Sequence, residues 1–250
     1  MFKIIIPAGL VFIAITIGLY MKGMSEPAVN PVSEEVSYFT SDGVVIVADW
    51  YKRTEDKPPV AILLHMLGSD RSSWYPLALK LNQSGYAVLA PDWRGHGRST
   101  KKGTEVIDYR LFEREDFLAM DLDVHAAFSF LDKQNINRDE IHVIGASIGA
   151  NAALIIGAEI PIVRSVVMLS PAEDYRDVQT IPAAEVYKGR PALIISSSED
   201  EPSYSGSQKI TQVIGSSAKF LGLVGAGHGT QMILSQPDLI EEILQFIKTR

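Results

Sequence analysis

Short apolar runs recur along the chain at Val60 to Leu64, Ala87 to Ala90, Ile141 to Ile144, Val166 to Leu169, Ala192 to Ile195 and Phe220 to Val224, separated by longer helix-compatible segments. Within each run the apolar character is continuous rather than alternating. A strand that is apolar on both faces is covered on both faces, so the pattern predicts a parallel sheet between two layers of helix. The stretch ahead of these runs differs. Glu35 to Thr40 and Val44 to Tyr51 read as two strands joined by Ser41-Asp42-Gly43, with Gly43 supplying the positive φ of a tight turn, and such a hairpin is antiparallel. The expected fold class is α/β: a mostly parallel, twisted sheet of about eight strands flanked by helices. No internal repeat or low-complexity tract interrupts it.

The 18 residues from Ile4 to Met21, between Lys3 and Lys22, carry no charge. As a helix rising about 1.5 Å per residue they reach roughly 27 Å, close to the hydrocarbon thickness of a bilayer. This predicts a hydrophobic helix within residues 1–24 that anchors the chain in a membrane. Removal as a signal peptide is the alternative, with Gly23-Met24-Ser25 as the cleavage candidate. The two flanking lysines are nearly symmetric and leave the positive-inside bias weak; the expected placement of the folded domain is outside the cytoplasm, tethered, or secreted or periplasmic after cleavage. Pro27 and Pro31 deny regular structure to a linker at residues 25–33, and the folded domain is expected over 34–250.

A chain of 250 residues, 46% hydrophobic and 21% charged, is large enough to bury one sizeable core, and a single domain is the simplest count. The net charge of −7 and the lack of a Lys/Arg cluster argue against a nucleic-acid partner. With no cysteine, disulfides, thiolate catalysis, Cys metal sites and lipid attachment to Cys are excluded, while the redox compartment stays open. No pair of His, or His with a carboxylate, at ligand spacing on one helix face is evident, so neither a metal nor a cofactor is expected.

Gly145-Ala146-Ser147-Ile148-Gly149 follows the run Ile141 to Ile144 and leads into the helix-compatible Asn151 to Ile156. A strand feeding a Ser between two Gly and then a helix is the context that a nucleophile elbow requires. A serine raised on a sharp turn takes strained backbone angles, and strand and helix approach so closely that its neighbours must be small. Gly145, Ala146, Gly149 and Ala150 meet that demand. A helix starting just beyond Ser147 would also favour the negative charge that develops in acyl transfer. The plain alternative for five small residues at such a junction is a tight turn.

Three further segments accompany the motif: His65-Met66-Leu67-Gly68 after Val60 to Leu64, Asp92-Trp93-Arg94-Gly95-His96-Gly97-Arg98-Ser99, and Gly227-His228-Gly229 near the end. In this order, from about Val36 to Arg250, the chain resembles the α/β-hydrolase superfamily in its serine-hydrolase, esterase-like form. A serine hydroxyl needs a positioned base, and the base needs a carboxylate to hold its tautomer. The resemblance implies Ser147 as nucleophile and His228 as base, since His65, His96, His125 and His142 fall elsewhere in the family order. Aligning Ser196-Ser197-Ser198-Glu199-Asp200-Glu201-Pro202 by the end of its preceding strand puts the acid at Asp200. Glu199, one register away, and Asp174, on the loop after the strand before, remain alternatives. Ser147, Asp200 and His228 then follow the family order of Ser, acid, His.

The resemblance also implies an oxyanion hole from the backbone N–H groups of Ile148 and Leu67. Met66 stands where a glycine is common in the family, which leaves Met66 open as the second donor. Arg94 to Ser99 reads as a supporting turn rather than a site. Only Pro171 to Pro191 separates two strand-like runs where the superfamily carries a cap, so a small or absent cap and a shallow, wet site for small or flexible esters are expected. Trp74, Tyr75, Trp93, Tyr175 and Tyr204 are candidate lining aromatics, and Lys101 to Glu115 is long enough to cover the mouth. The expected function is hydrolysis of a small-molecule carboxylic ester through an acyl-enzyme. Thioester, amide or peptide cleavage and acyl transfer use the same groups, and a membrane-tethered binding protein without turnover is the reading of a different class.

Overall fold

The structure, a computed structural model, describes residues 33–250. The expected N-terminal helix and all but the last residue of the expected linker lie outside the described residues. Among those described, no helix is long and apolar enough to cross a membrane.

The strands in chain order are β1 (Glu34–Phe39), β2 (Val44–Tyr51), β3 (Val60–Leu64), β4 (Ala87–Pro91), β5 (Lys101–Lys102), β6 (Glu105–Val106), β7 (Ile141–Ala146), β8 (Val163–Leu169), β9 (Asp174–Tyr175), β10 (Val178–Gln179), β11 (Ala192–Ser197) and β12 (Ala218–Leu223). The helices are α1 (Tyr75–Gln83), α2 (Arg114–Leu118), α3 (Asp121–Leu131), α4 (Ile148–Glu159), α5 (Ile181–Tyr187), α6 (Ser203–Ile214), α7 (Gln231–Ser235) and α8 (Leu239–Lys248). Six strands pair in parallel in the order β12-β11-β8-β7-β3-β4, and β2 continues the sheet antiparallel to β4, with β1 antiparallel to β2.

The principal sheet has ten strands, not about eight. The two extra strands, β5 and β6, are two-residue pieces of a polar hairpin that extends the β2 edge by pairing Val44 with Lys102 and Val45 with Lys101. They are exposed and carry no apolar run, so the hydrophobic pattern holds no trace of them. This also divides the expected mouth-covering stretch: Lys101 to Val106 belongs to the sheet edge, and Tyr109 to Leu111 forms a 3-10 turn ahead of α2.

Continuous apolar strands bury both faces, as the pattern requires. In β3, Val60, Ile62 and Leu64 join the core beneath α3, α4, α5 and α6, while Ala61 and Leu63 join the core beneath α1, α7 and α8. The α8 helix shows how a surface helix contributes: Leu239, Ile243, Leu244 and Ile247 lie on one buried stripe. Each such side chain adds about 1.5–3 kcal/mol by leaving water.

The Asp92 to Ser99 turn is structural, as expected. Arg94 is buried; its backbone N–H and Nε donate to the two oxygens of Asp123 at 2.9 Å each, and its terminal nitrogens donate to Asp42 at 3.0 Å. The turn of the opening hairpin is thereby fixed to α3. Asp92, fully buried, accepts the N–H groups of Arg71 and Arg98 at 2.8 Å each, so the same turn also holds the segment that follows β3.

Candidate active site

Ser147 stands between β7 and α4 with φ 55° and ψ −123°, a left-handed conformation that non-glycine residues rarely take. The close approach that small residues were expected to permit is present in atoms. A Cβ on Gly145 would lie 2.0 Å from the Gly149 carbonyl oxygen, and one on Gly149 would lie 2.3 Å from the Leu64 carbonyl oxygen. The end of β3 therefore abuts the first turn of α4. This brings the His65 to Gly68 loop beside Ile148. Neither the Leu67 nor the Ile148 N–H finds an acceptor among the described residues, so both are free for a ligand.

Two of the remaining histidines hold that loop. His65 is fully buried; its Nδ1–H donates to the Met66 carbonyl (2.8 Å) and its Nε2 accepts from the Trp93 N–H (3.0 Å), which fixes a neutral tautomer. Burial pushes its pKa down to about 3. His96 donates to the Arg94 carbonyl (3.0 Å), accepts from the Gly68 N–H (3.3 Å), and stacks on Tyr109 at 3.9 Å; burial lowers its pKa too. Both are neutral scaffolding. His142 lies in β7 against the Ser165 hydroxyl (2.7 Å), and its pKa falls to about 4 through burial.

The fifth histidine meets a carboxylate. His228 Nδ1 lies 3.0 and 2.8 Å from the two oxygens of Asp200. Asp200 is placed by the turn after β11, where its N–H donates to the Ser197 carbonyl (2.9 Å) and its carbonyl accepts from Tyr204 at the start of α6 (2.8 Å). The other two candidate acids are engaged elsewhere. Glu199 accepts from the Ser197 hydroxyl (2.6 Å) and from the Gly225 and Gly227 N–H groups (3.0 and 3.2 Å), which hold its carboxyl down to about 2. It latches the His228 loop. Asp174 accepts from the Asp177 N–H (2.8 Å) and Gln179 Nε2 (3.3 Å), within the β9–β10 hairpin.

The His228 loop reaches the elbow through its glycine and Met66. A Cβ on Gly229 would stand 3.4 Å from that of Ala146 and 2.9 Å from Met66 Sδ, and the Gly229 N–H donates to the Ser170 hydroxyl (3.0 Å). Met66, in the position where a glycine is common, thus fills the space between the two loops. Tyr175 enters from the other side, its ring edge-on to His228 with centroids 6.3 Å apart. Among the aromatics named from the sequence, Trp74 and Trp93 are core instead, each almost fully buried.

The structure thus brings Asp200 and His228 together, sets the His228 loop against the residue preceding Ser147, and places the Leu67 loop beside Ile148. A family profile described as alpha/beta hydrolase fold matches residues 59–190, more than half of the chain. The chain belongs to the α/β-hydrolase family. Among solved structures, this α/β-hydrolase is similar to the Pyrococcus furiosus esterase Pf2001, at 20% identity over 91% of this chain and 94% of that one with a TM-score of 0.71. It is also similar to Est1E from Butyrivibrio proteoclasticus, solved with ferulic acid bound (19% identity, 86% and 100% covered, TM-score 0.69), and to a dienelactone hydrolase from Anabaena variabilis (21%, 86% and 94%, TM-score 0.66). At these identities the likeness is one of fold. A search of curated protein sequences gives no match.

The insert between β8 and β11 is small, as expected, holding only the β9–β10 hairpin and the two turns of α5. Together with α2 it nonetheless walls a groove of about 580 Å³ along the outer face of α4, lined by Phe117, Met120, Ile148, Ala152, Ile155 and Val178 among others. This groove is apolar, and Ser147 and His228 themselves do not line it. At its far end the structure corrects the metal expectation in one respect. Asp121 and His125 sit one turn apart on α3 with Glu159 of α4 opposite, their ligand atoms all within 4.8 Å of one another. His125 Nε2 is 3.3 Å from Asp121 and 3.4 Å from Glu159. The Asp-x-x-x-His spacing is present in the sequence, and Glu159 is added by tertiary contact.

Proposed function

We propose that this α/β-hydrolase is a serine hydrolase that cleaves carboxylic esters through an acyl-enzyme. The observation that carries the reading is the Asp200–His228 contact, on a loop packed against Ala146, the residue before a serine held at φ 55°. Ser147 Oγ attacks the ester carbonyl while its proton passes to His228 Nε2. Asp200 fixes Nδ1 as the protonated nitrogen and stabilises the imidazolium. The free N–H groups of Leu67 and Ile148, the latter at the start of α4, are aimed at the developing oxyanion. His228 then returns the proton to the departing alcohol, and water repeats the sequence to release the acid. The neighbouring apolar groove favours a substrate with an apolar acyl or aryl portion.

The test is labelling of the full-length protein with a fluorophosphonate probe, beside Ser147→Ala. Stoichiometric labelling that disappears in the variant is the expected result. A folded wild-type protein that resists the probe would overturn the reading in favour of a hydrolase-fold binding protein. The uncharged run Ile4 to Met21 supports placing this activity at a membrane, outside the cytoplasm. A mature protein that begins near Ser25 would overturn retention of the tether.

A further inference from the structure

Asp121 opens α3 and His125 follows about one turn later, so both side chains leave the helix on one face. The third member of the group comes much later in the chain, where Glu159 ends α4 opposite them. This is not an ordinary surface ion pair. Among the described residues neither carboxylate has a Lys or Arg nitrogen within 4.0 Å, and His125 is the one basic side chain that both of them face.

The contacts within the group are also long. His125 Nε2 stands 3.3 Å from Asp121 Oδ2 and 3.4 Å from Glu159 Oε2. Hydrogen bonds from N–H to oxygen fall at about 2.7–3.2 Å, and the imidazole nitrogen, which faces two oxygens, is hydrogen-bonded to neither. The second oxygen of Asp121, Oδ1, is buried and has no hydrogen-bond partner among the described residues. A buried carboxylate oxygen without a donor is unfavourable unless a cation meets it.

A metal ion accounts for these distances. Ligands held about 2.1 Å from a tetrahedral ion stand about 3.4 Å from one another, the spacing of His125 from each carboxylate. Asp121 and Glu159 lie within 4.8 Å of each other, and rotation of the half-exposed Glu159 side chain closes that edge. One imidazole with two carboxylates suits zinc, whereas Mg²⁺ and Ca²⁺ prefer sites built from oxygen alone.

We propose that Asp121, His125 and Glu159 bind a Zn²⁺ ion that joins α3 to α4. Three protein ligands leave the fourth position of a tetrahedral ion to water or another small donor. Asp121 and Glu159 line the apolar groove, so that position lies at the groove's rim. The helix from Ile148 to Glu159 rises about 16 Å, which sets the ion well apart from the Ser147 elbow. Zinc binding here does not depend on the serine-hydrolase reading.

The experiment is calorimetric titration of chelator-treated, full-length protein with ZnCl₂ at pH 7, paired with thermal unfolding. The expected result is one Zn²⁺ per chain at micromolar or tighter affinity, with Tm raised by about 5 °C when free Zn²⁺ is about a hundredfold above Kd. His125→Ala should weaken binding about a hundredfold and remove most of the Tm shift at the same Zn²⁺ concentration. Glu159→Gln should weaken it about tenfold. Both side chains are about half exposed, so neither change opens a cavity. His228→Ala, which removes the other histidine that faces a carboxylate, should leave zinc affinity unchanged. Undiminished binding in His125→Ala, loss of binding in His228→Ala, or displacement of Zn²⁺ by millimolar Mg²⁺ would overturn the site. A wild-type protein that takes up no Zn²⁺ would overturn it as well, leaving a protonated His125 as the cation between the two carboxylates.

Discussion

The two oxygens of Asp200 stand 3.0 and 2.8 Å from His228 Nδ1, and the neighbouring carboxylate of Glu199 turns the opposite way to hold the backbone of the same loop at Gly225 and Gly227. Adjacent acids on one turn thus divide two tasks. One orients the imidazole, and the other sets the height of the loop that carries it.

That division predicts unequal costs. Asp200→Asn removes the charge that fixes the His228 tautomer, and kcat/KM on an ester should fall about a hundredfold or more. Glu199→Gln keeps an acceptor for the two amides, and its loss should stay below about tenfold. Asp174→Asn, whose carboxylate serves only the β9–β10 turn, should cost less than either. Steady-state kinetics on the three variants check the ranking, and a larger loss for Glu199→Gln than for Asp200→Asn would reassign the acid.

His142 predicts a slope of stability against pH. It is neutral in the fold until about pH 4, chiefly through burial, whereas an unfolded histidine takes up its proton near 6.5. Between those values the unfolded chain binds more protons than the folded one, so stability falls as pH falls from 6.5 towards 4. A full proton of difference is worth about 1.4 kcal/mol per pH unit. His142→Asn should flatten the decline by about 1 kcal/mol per unit near pH 5, with His65 supplying part of the slope that remains. Urea denaturation at pH 7, 6 and 5 reads this directly; identical slopes in the two proteins would contradict it.

The parallel strands were legible because continuous apolar runs have no other economical reading, and the elbow because steric crowding leaves few residue types that fit. Other features leave no such mark. β5 and β6 are two exposed residues each, and the Arg176–Asp177 turn uses neither Gly nor Asn, so turn chemistry does not announce it. The choice between Glu199 and Asp200 depends on which way each side chain faces at the end of β11, a property of the backbone path and not of composition. Tyr175 was visible only as one aromatic among five, since its contacts with Ser203, Ser170 and His228 span chain separations that no local pattern encodes. The neutral, loop-holding roles of His65 and His96 arise in the same way, from partners supplied by a different loop.

Gly149 offers the sharpest test of how the elbow is built, because its neighbours are backbone. A Cβ there would stand 2.3 Å from the Leu64 carbonyl oxygen and 2.7 Å from that of His65, atoms at and just past the end of β3 that have no rotamer through which to yield. Gly149→Ala should therefore cost about 3 kcal/mol, at the upper end of overpacking penalties. Because relief requires the His65 to Gly68 loop to move away from α4, the Leu67 and Ile148 amides would separate, and displacement on the order of 1 Å is enough to lower turnover about a hundredfold. Gly85→Ala is the control. Gly85 also has positive φ but open space around it, so alanine there pays only the left-handed backbone strain of about 1 kcal/mol and should leave kcat/KM unchanged. Denaturant midpoints and ester kinetics on both variants decide the matter, and Gly149→Ala behaving like Gly85→Ala would mean that the contact between β3 and α4 is not what holds the two amides together.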